Sequence, residues 1–299
     1  MKKAFISLHL SVFLAGFTGI LGRLITLNEG LLVWYRLMIA SITLWIIYFI
    51  SKKRTKVSVA DTWRILGIGA VVALHWVTFY GSIKYANVSV ALVCFSSMGF
   101  FTAILEPLML KLPLRWSEIL LGMLAMIGIA VIFHFDEQYK TGIILGVISA
   151  VLASVFTIMN RPLLKRNTAE AVTRFELSGG FIFLTLLLPA YLAFFPSPEL
   201  LPSLSDLGWL LILGWACTVW AFTLSLKALE KISAFTVNLT FNLEPVYGIL
   251  LAFLVYHENE FLGRSFYAGL FLILLSVVLQ TIMVYRSRKT ATKNGDVLN

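Results

Sequence analysis

Charge is the scarcest property of this 299-residue chain: Asp, Glu, Lys and Arg together make up 13% of it, against 59% apolar residues. A water-soluble domain carries roughly 25% charged residues. One soluble core of this size cannot hide so many Leu, Ile, Val and Phe side chains, so lipid must be the solvent for much of the chain. Cysteine is also scarce. Cys94 and Cys217 both lie inside apolar runs and form no CxxC pair, which leaves no basis for a structural disulfide or a metal site. The four histidines, His9, His75, His134 and His257, are scattered, and none has the H-E-x-x-H spacing of an intramembrane metalloprotease. A G-x-x-x-x-G-K phosphate loop is missing as well, so nothing points to nucleotide chemistry or to any cofactor.

What the chain has in plenty is apolar runs of membrane length, about 20 residues each. They are Ala4–Gly22, Leu31–Ile50, Ile65–Gly81, Val88–Leu110, Trp116–Phe135, Thr141–Asn160, Val172–Phe195, Leu207–Leu226, Ile232–Tyr256 and Gly263–Tyr285. The first follows Met1-Lys2-Lys3 and imitates a signal peptide. No small-residue cleavage site follows it, so it reads as a retained membrane helix. The expected fold is therefore all-α and integral to the membrane, with ten transmembrane helices.

The net charge of +9 is spread over short clusters between these runs, without the basic stripe of a nucleic-acid face. With the N-terminus inside, cytoplasmic segments collect 19 Lys and Arg, from Lys2 through Lys52, Lys53 and Arg54 to Lys293. The external loops keep only Arg23, Lys84, Lys140 and Arg264. The positive-inside rule then places both termini in the cytoplasm. The tail after Arg288 reads as disordered.

The chain also repeats itself. Leu14 to Leu24 and Leu152 to Leu163 each run Leu-Ala, then Phe-Thr, then Arg near the exit, with Arg23 and Arg161 138 positions apart. Trp76 and Ser89 recur as Trp220 and Ser233 at a spacing of 144, and Gly122 matches Gly269. Two halves are expected, 1–137 and 138–299. An odd number of spans in each forces the second to enter the membrane from the opposite side. Such inverted repeats bind substrate near the midplane, between the halves. Thr102-Ala-Ile-Leu-Glu106-Pro107 resembles Thr240-Phe-Asn-Leu-Glu244-Pro245, but at a spacing of 138, so the two glutamates are not read as symmetry mates.

Ten spans, cytoplasmic termini and five-plus-five repeats in about 300 residues resemble the drug/metabolite transporter superfamily, specifically its EamA-type exporters. The second half carries the closer match: Leu243-Glu244-Pro245 with the apolar run to Ala252, then Glu258 and Gly263. Ser96-Ser97, Gly122 and Gly128 are similar in the first half. There the proline expected after the paired serines is absent, and Lys111-Leu112 stands where the family has a glutamate. The resemblance implies a cavity between halves and export of amino acids or related small metabolites across a bacterial cytoplasmic membrane. A monomer is expected, although a homo-oligomer is compatible with the same sequence. Channel and intramembrane enzyme are the rival classes.

Several residues are candidates for lining that cavity. Glu244 lies near the middle of its span, where an ionisable group costs about 2.5–3.5 kcal/mol to insert. It is the candidate for proton coupling, and the alternative is a structural glutamate paired with Arg36 or with a helix end. On a continuous helix Thr236, Thr240, Glu244 and Tyr247 would share one stripe. Arg36, beside Trp34 and Tyr35, offers a planar fork for an anionic group; the alternative is snorkelling to the interface. His75, Trp76 and Tyr80 on the third span, Trp220 and Ser97 complete the set. Asn238 and Asn242 read as bonds between helices, and Glu106 as a structural partner of Lys111 or Arg115. Gly16, Gly19 and Gly22 permit close helix packing.

Overall fold

The computed structural model describes residues 2–51, 55–135, 137–241 and 243–293. Lys52, Lys53, Arg54, Asn242 and the end of the tail, 294–299, lie outside the described residues. Among the described residues the chain is helical throughout and contains no strand. In chain order the helices are α1 (Lys2–Leu24), α2 (Glu29–Ile50), α3 (Val59–Tyr85), α4 (Val88–Phe95), α5 (Met98–Leu110), α6 (Trp116–Phe135) and α7 (Lys140–Leu163). They continue as α8 (Ala169–Phe194), α9 (Leu204–Gly214), α10 (Ala221–Leu229), α11 (Ala234–Phe241), α12 (Glu244–Tyr256) and α13 (Arg264–Lys293). A π-helical turn, Trp215–Trp220, joins α9 to α10.

Seven stretches are long and apolar enough to cross a membrane: Lys3–Leu24, Glu29–Ile50, Val59–Tyr85, Val88–Leu110, Glu137–Leu163, Ala169–Phe194 and Leu204–Leu229. Trp116–Ile132, Glu244–Tyr256 and Arg264–Ser276 are shorter apolar helices. Large apolar side chains such as Ile50, Leu186, Leu254 and Phe271 stand exposed on the outside, as a lipid-facing surface requires.

Helix starts follow local chemistry. Side chains of Asn28, Ser58, Asn87, Thr168 and Ser203 each accept from the backbone N–H three residues on, satisfying an otherwise orphaned donor. Small residues let helices touch. A Cβ placed on Gly128 of α6 would lie 2.6 Å from the carbonyl oxygen of Gly269 in α13, and one on Gly16 would lie 2.9 Å from Tyr247 Cβ in α12. The glycines of α1 therefore serve direct packing, and Gly269 meets Gly128 across space.

Two of the expected spans are not continuous. Val88–Leu110 breaks at Ser96 and Ser97, whose hydroxyls bond back to the carbonyls of Leu92 and Cys94 at 3.1 and 2.7 Å. Such local bonds compete with the helical ladder. Ile232–Tyr256 breaks before Glu244, where Pro245 stands in the first turn of α12 without a backbone donor. Both broken spans end on a left-handed residue, Lys111 at φ 54° and His257 at φ 52°. Helix starts, breaks and left-handed caps of the two spans recur at a constant spacing of 146. The Ser pair, at 144, is thus two residues out of register, whereas the Trp pair keeps the spacing of the ends of its own helices, Tyr85 and Leu229. Ser89 sits inside α4, while Ser233 precedes α11 and bonds Thr236.

Candidate functional site

A cavity of about 760 Å³, counting its open mouth, lies at the centre of the helix bundle. Ser11, Ala15 and Thr18 of α1 line it, as do Ala153, Phe156 and Thr157 of α7. The stretches around Leu-Ala-x-x-Phe/Thr that repeat in the sequence thus meet across one space. α3 supplies His75, Trp76 and Phe79, and α10 supplies Phe222 and Ser225. Both helix breaks open onto it, through Phe95 and Met98 on one side and Asn238, Phe241 and Glu244 on the other. The walls are therefore aromatic, with a few polar groups, the usual composition of a small-molecule site.

Arg36 provides the positive charge. It is 2% exposed and turned inward, so it does not snorkel. Its Nε donates to Thr218 Oγ1 at 2.6 Å, Nη1 to Tyr80 Oη at 2.8 Å and Nη2 to the Cys217 carbonyl at 3.2 Å. The guanidinium carbon lies 3.8 Å from the centre of the Trp76 ring, where the π face attracts a cation. The π-helical turn makes this possible. Thr218 Oγ1 donates to the Leu213 carbonyl, five residues back, at 2.7 Å. Widening the helix there turns the Cys217 carbonyl and the Thr218 oxygen towards Arg36. All these partners are neutral, and among the described residues no carboxylate forms an ion pair with Arg36. Its charge remains available to the cavity.

Glu244 provides the acidic group. It opens α12, is 4% exposed, and lines the same cavity. Among the described residues no hydrogen bond or ion pair reaches its carboxyl group, so of the two structural alternatives the pairing with Arg36 does not form, while the position at a helix end does. The first turn of a helix favours an anion electrostatically. One cation and one carboxyl group thus face a common aromatic-walled space without an ion pair between them.

The remaining candidates divide. His75 and Trp76 line the cavity. His75 Nδ1 is held by Ser149, 2.8 Å from its hydroxyl, and the ring stacks on Phe95. Tyr80 lies outside the lining and acts through its bond to Arg36. Ser97 is fully buried on its own helix and also lies outside it. Thr240 bonds the Thr236 carbonyl, and Tyr247 is 38% exposed beside Phe13, because the break before Glu244 destroys the continuous stripe. Trp220, 55% exposed, faces outward. Residues not singled out for the cavity also line it: Thr18, Phe79, Phe95, Phe156, Cys217 and Phe222. An aromatic in an apolar span carries no signal that separates it from lipid-facing ones. Asn238 bonds Thr102 Oγ1 on α5 at 2.8 Å and also borders the cavity. Glu106 pairs with Arg161 of α7 in place of its sequence neighbours. No group of three or more His, Cys, Asp or Glu side chains among the described residues is arranged to hold a metal.

The EamA-like transporter family matches this sequence twice, over residues 2–134 and 140–282. The chain belongs to that family. Among relatives of this EamA-like protein is an uncharacterized transporter of Haemophilus influenzae, 23% identical over 275 residues and covering 86% of both chains. Another, from Synechocystis sp., is 23% identical over 239 residues, covering 74% of this chain and 66% of the relative. A solved protein structure superposes with a TM-score of 0.65 over 94% of this chain and 98% of its own, at 16% identity, which speaks to fold alone. Family and relatives make this EamA-like protein a membrane transporter.

Proposed function

We propose that the protein is a secondary exporter of zwitterionic amino acids, preferring an aromatic or large apolar side chain, or of closely related metabolites. The carrying observation is that Arg36 and Glu244, neither in an ion pair among the described residues, border one aromatic-walled cavity. The guanidinium fork suits the substrate carboxylate, Glu244 suits the ammonium group, and Trp76, Phe79, Phe156 and Phe222 suit the side chain. Glu244 is also the group proposed to exchange a proton during the cycle, because leaving it charged without a partner in the membrane interior is costly. Tyr80 is assigned a supporting position through its bond to Arg36.

In this reading the three shorter apolar helices join the seven long ones to give ten spans. They form two inverted halves, 1–137 and 138–299, with both termini in the cytoplasm and the protein a monomer in a bacterial cytoplasmic membrane. The halves rock about the cavity to expose it to each side in turn, and substrate and protons are the only partners besides the bilayer. Purified protein in liposomes tests the substrate. A labelled aromatic amino acid is expected to show saturable flux that a pH gradient accelerates. The unlabelled zwitterion should compete at least tenfold better than its decarboxylated amine or its deaminated acid, since each lacks one contact worth ~1.4 kcal/mol or more. Equal competition by all three would end the two-charge reading, and absence of saturable flux for every amino acid tried would end the exporter reading.

A further inference from the structure

Glu258 and Glu106 are both buried, at 2% and 6% exposure, yet both lie away from the cavity. Glu258 follows α12 in the second half. Its carboxylate takes the Arg23 guanidinium at the end of α1 and caps the start of α4, accepting from Val88 N at 3.1 Å, Ser89 N at 2.9 Å and Ser89 Oγ at 2.6 Å. Glu106 lies in α5, in the first half. Its carboxylate takes Arg161 Nη1 near the end of α7 at 2.8 Å and caps the start of α11 through Phe235 N at 3.0 Å.

The two constellations match in their arginine and their helix start, while the glutamates stand 152 apart, one inside α5 and the other after α12. Arg23 and Arg161 stand 138 residues apart at the exits of α1 and α7, and Ser89 and Phe235 stand 146 apart in the first turns of α4 and α11. In each, a carboxylate from one half holds an arginine and a helix start from the other, so each joins the halves. They sit at opposite ends of the broken span Val88–Leu110: Val88 and Glu106 are separated by eighteen residues, about 27 Å of helix. A carboxylate that accepts a guanidinium and backbone N–H groups together makes short, charge-assisted bonds. Such a clamp is strong when closed and, built from one removable acceptor, separates as a unit.

We infer that these are the two gates of the protein: the Glu258–Arg23–Ser89 clamp shuts the cavity at the face assigned as external, and the Glu106–Arg161–Phe235 clamp shuts it at the cytoplasmic face. This rests on the alternating-access reading above. Both clamps are formed in the structure. Opening one end requires breaking one clamp while the other holds the halves together. Broken helices that meet at the cavity give α4 and α11 room to move with their gates.

Cys217 lines the cavity and serves as a native reporter once Cys94, buried against Gly146, is changed to Ala. The full chain is placed in sealed vesicles of known orientation, and a membrane-impermeant maleimide is added to one face at a time. Glu258→Ala is expected to raise Cys217 labelling from the external face at least fivefold with no rise from the cytoplasmic face, and Glu106→Ala to do the reverse. Should either fail to fold, Arg23→Ala and Arg161→Ala remove the more exposed partner of each clamp and should give the same sided pattern, more weakly. Labelling that rises equally from both faces, or in none of the four variants, overturns the assignment. Because the reagent needs no substrate, sided labelling stands even where no amino-acid flux is found. Flux that persists with unsided labelling overturns the gates alone.

Discussion

At the break between α4 and α5, Ser96 and Ser97 close their hydroxyls onto their own helix. At the break between α11 and α12, 146 residues later, Glu244 turns its carboxyl group into the cavity, with no hydrogen-bond or ion-pair partner among the described residues. The backbone repeats; the chemistry does not. Two copies of one broken helix are present, and only one of them carries an ionisable side chain at the break itself. The same division separates the clamps, whose arginines and helix starts match, from the binding groups, which do not. On the proposed reading, symmetry belongs to the gates and asymmetry to the site that meets the substrate.

Substitutions at the two breaks sharpen that contrast. The largest effect is expected from Glu244→Gln, which should abolish the response of flux to a pH gradient and weaken amino-acid binding at least tenfold. Removing one partner of a desolvated charge contact costs about 2–5 kcal/mol. Flux in proteoliposomes across a range of pH values checks this, and a fully pH-responsive variant would move the coupling role elsewhere. Next comes Arg36→Lys. It keeps the charge but loses the planar fork that reaches Thr218, Tyr80 and Cys217 together, so apparent affinity should fall about tenfold (~1.4 kcal/mol). Ser97→Ala should matter least. Its hydroxyl serves a local bond in the membrane interior, worth about 0.6 kcal/mol, so binding should change less than threefold and the pH response should persist. A Ser97→Ala variant as damaged as Glu244→Gln would erase the contrast between the breaks.

Membrane character, the ends of most helices and family membership were legible from hydropathy, loop charge and the Glu244-Pro245 region. The breaks were half legible. Pro245 and the paired serines announced a disturbance, but a twenty-residue apolar run looks the same whether or not it is interrupted. That hid the fate of Tyr247 and Thr240, whose positions follow from where the helix restarts. Glu244, Arg36, His75 and Trp76 were found because polar or cationic side chains in an apolar span are costly and so must be explained. Thr18, Phe156 and Phe222 were not, since in lipid the inside and outside of a helix share one composition. Long-range partners were the hardest: nothing local to Glu106 indicates Arg161, and nothing local to Arg23 indicates Glu258.

The wide turn at Trp215–Trp220 has a consequence for how this chain tolerates length changes. A π-turn holds one residue more than an α-turn, and one residue is about 100° of rotation on a helical wheel. At its end Trp220 is exposed while Ala221, its neighbour, is buried. Deleting one residue from the turn would let the helix run straight, but everything on one side of the deletion would swing by more than a quarter of a circle. Arg36 would lose its oxygens, or α10 would offer a different face to the cavity. The surplus residue is a phase-setter between two stretches of helix, and it fixes which side of the second stretch the cargo meets.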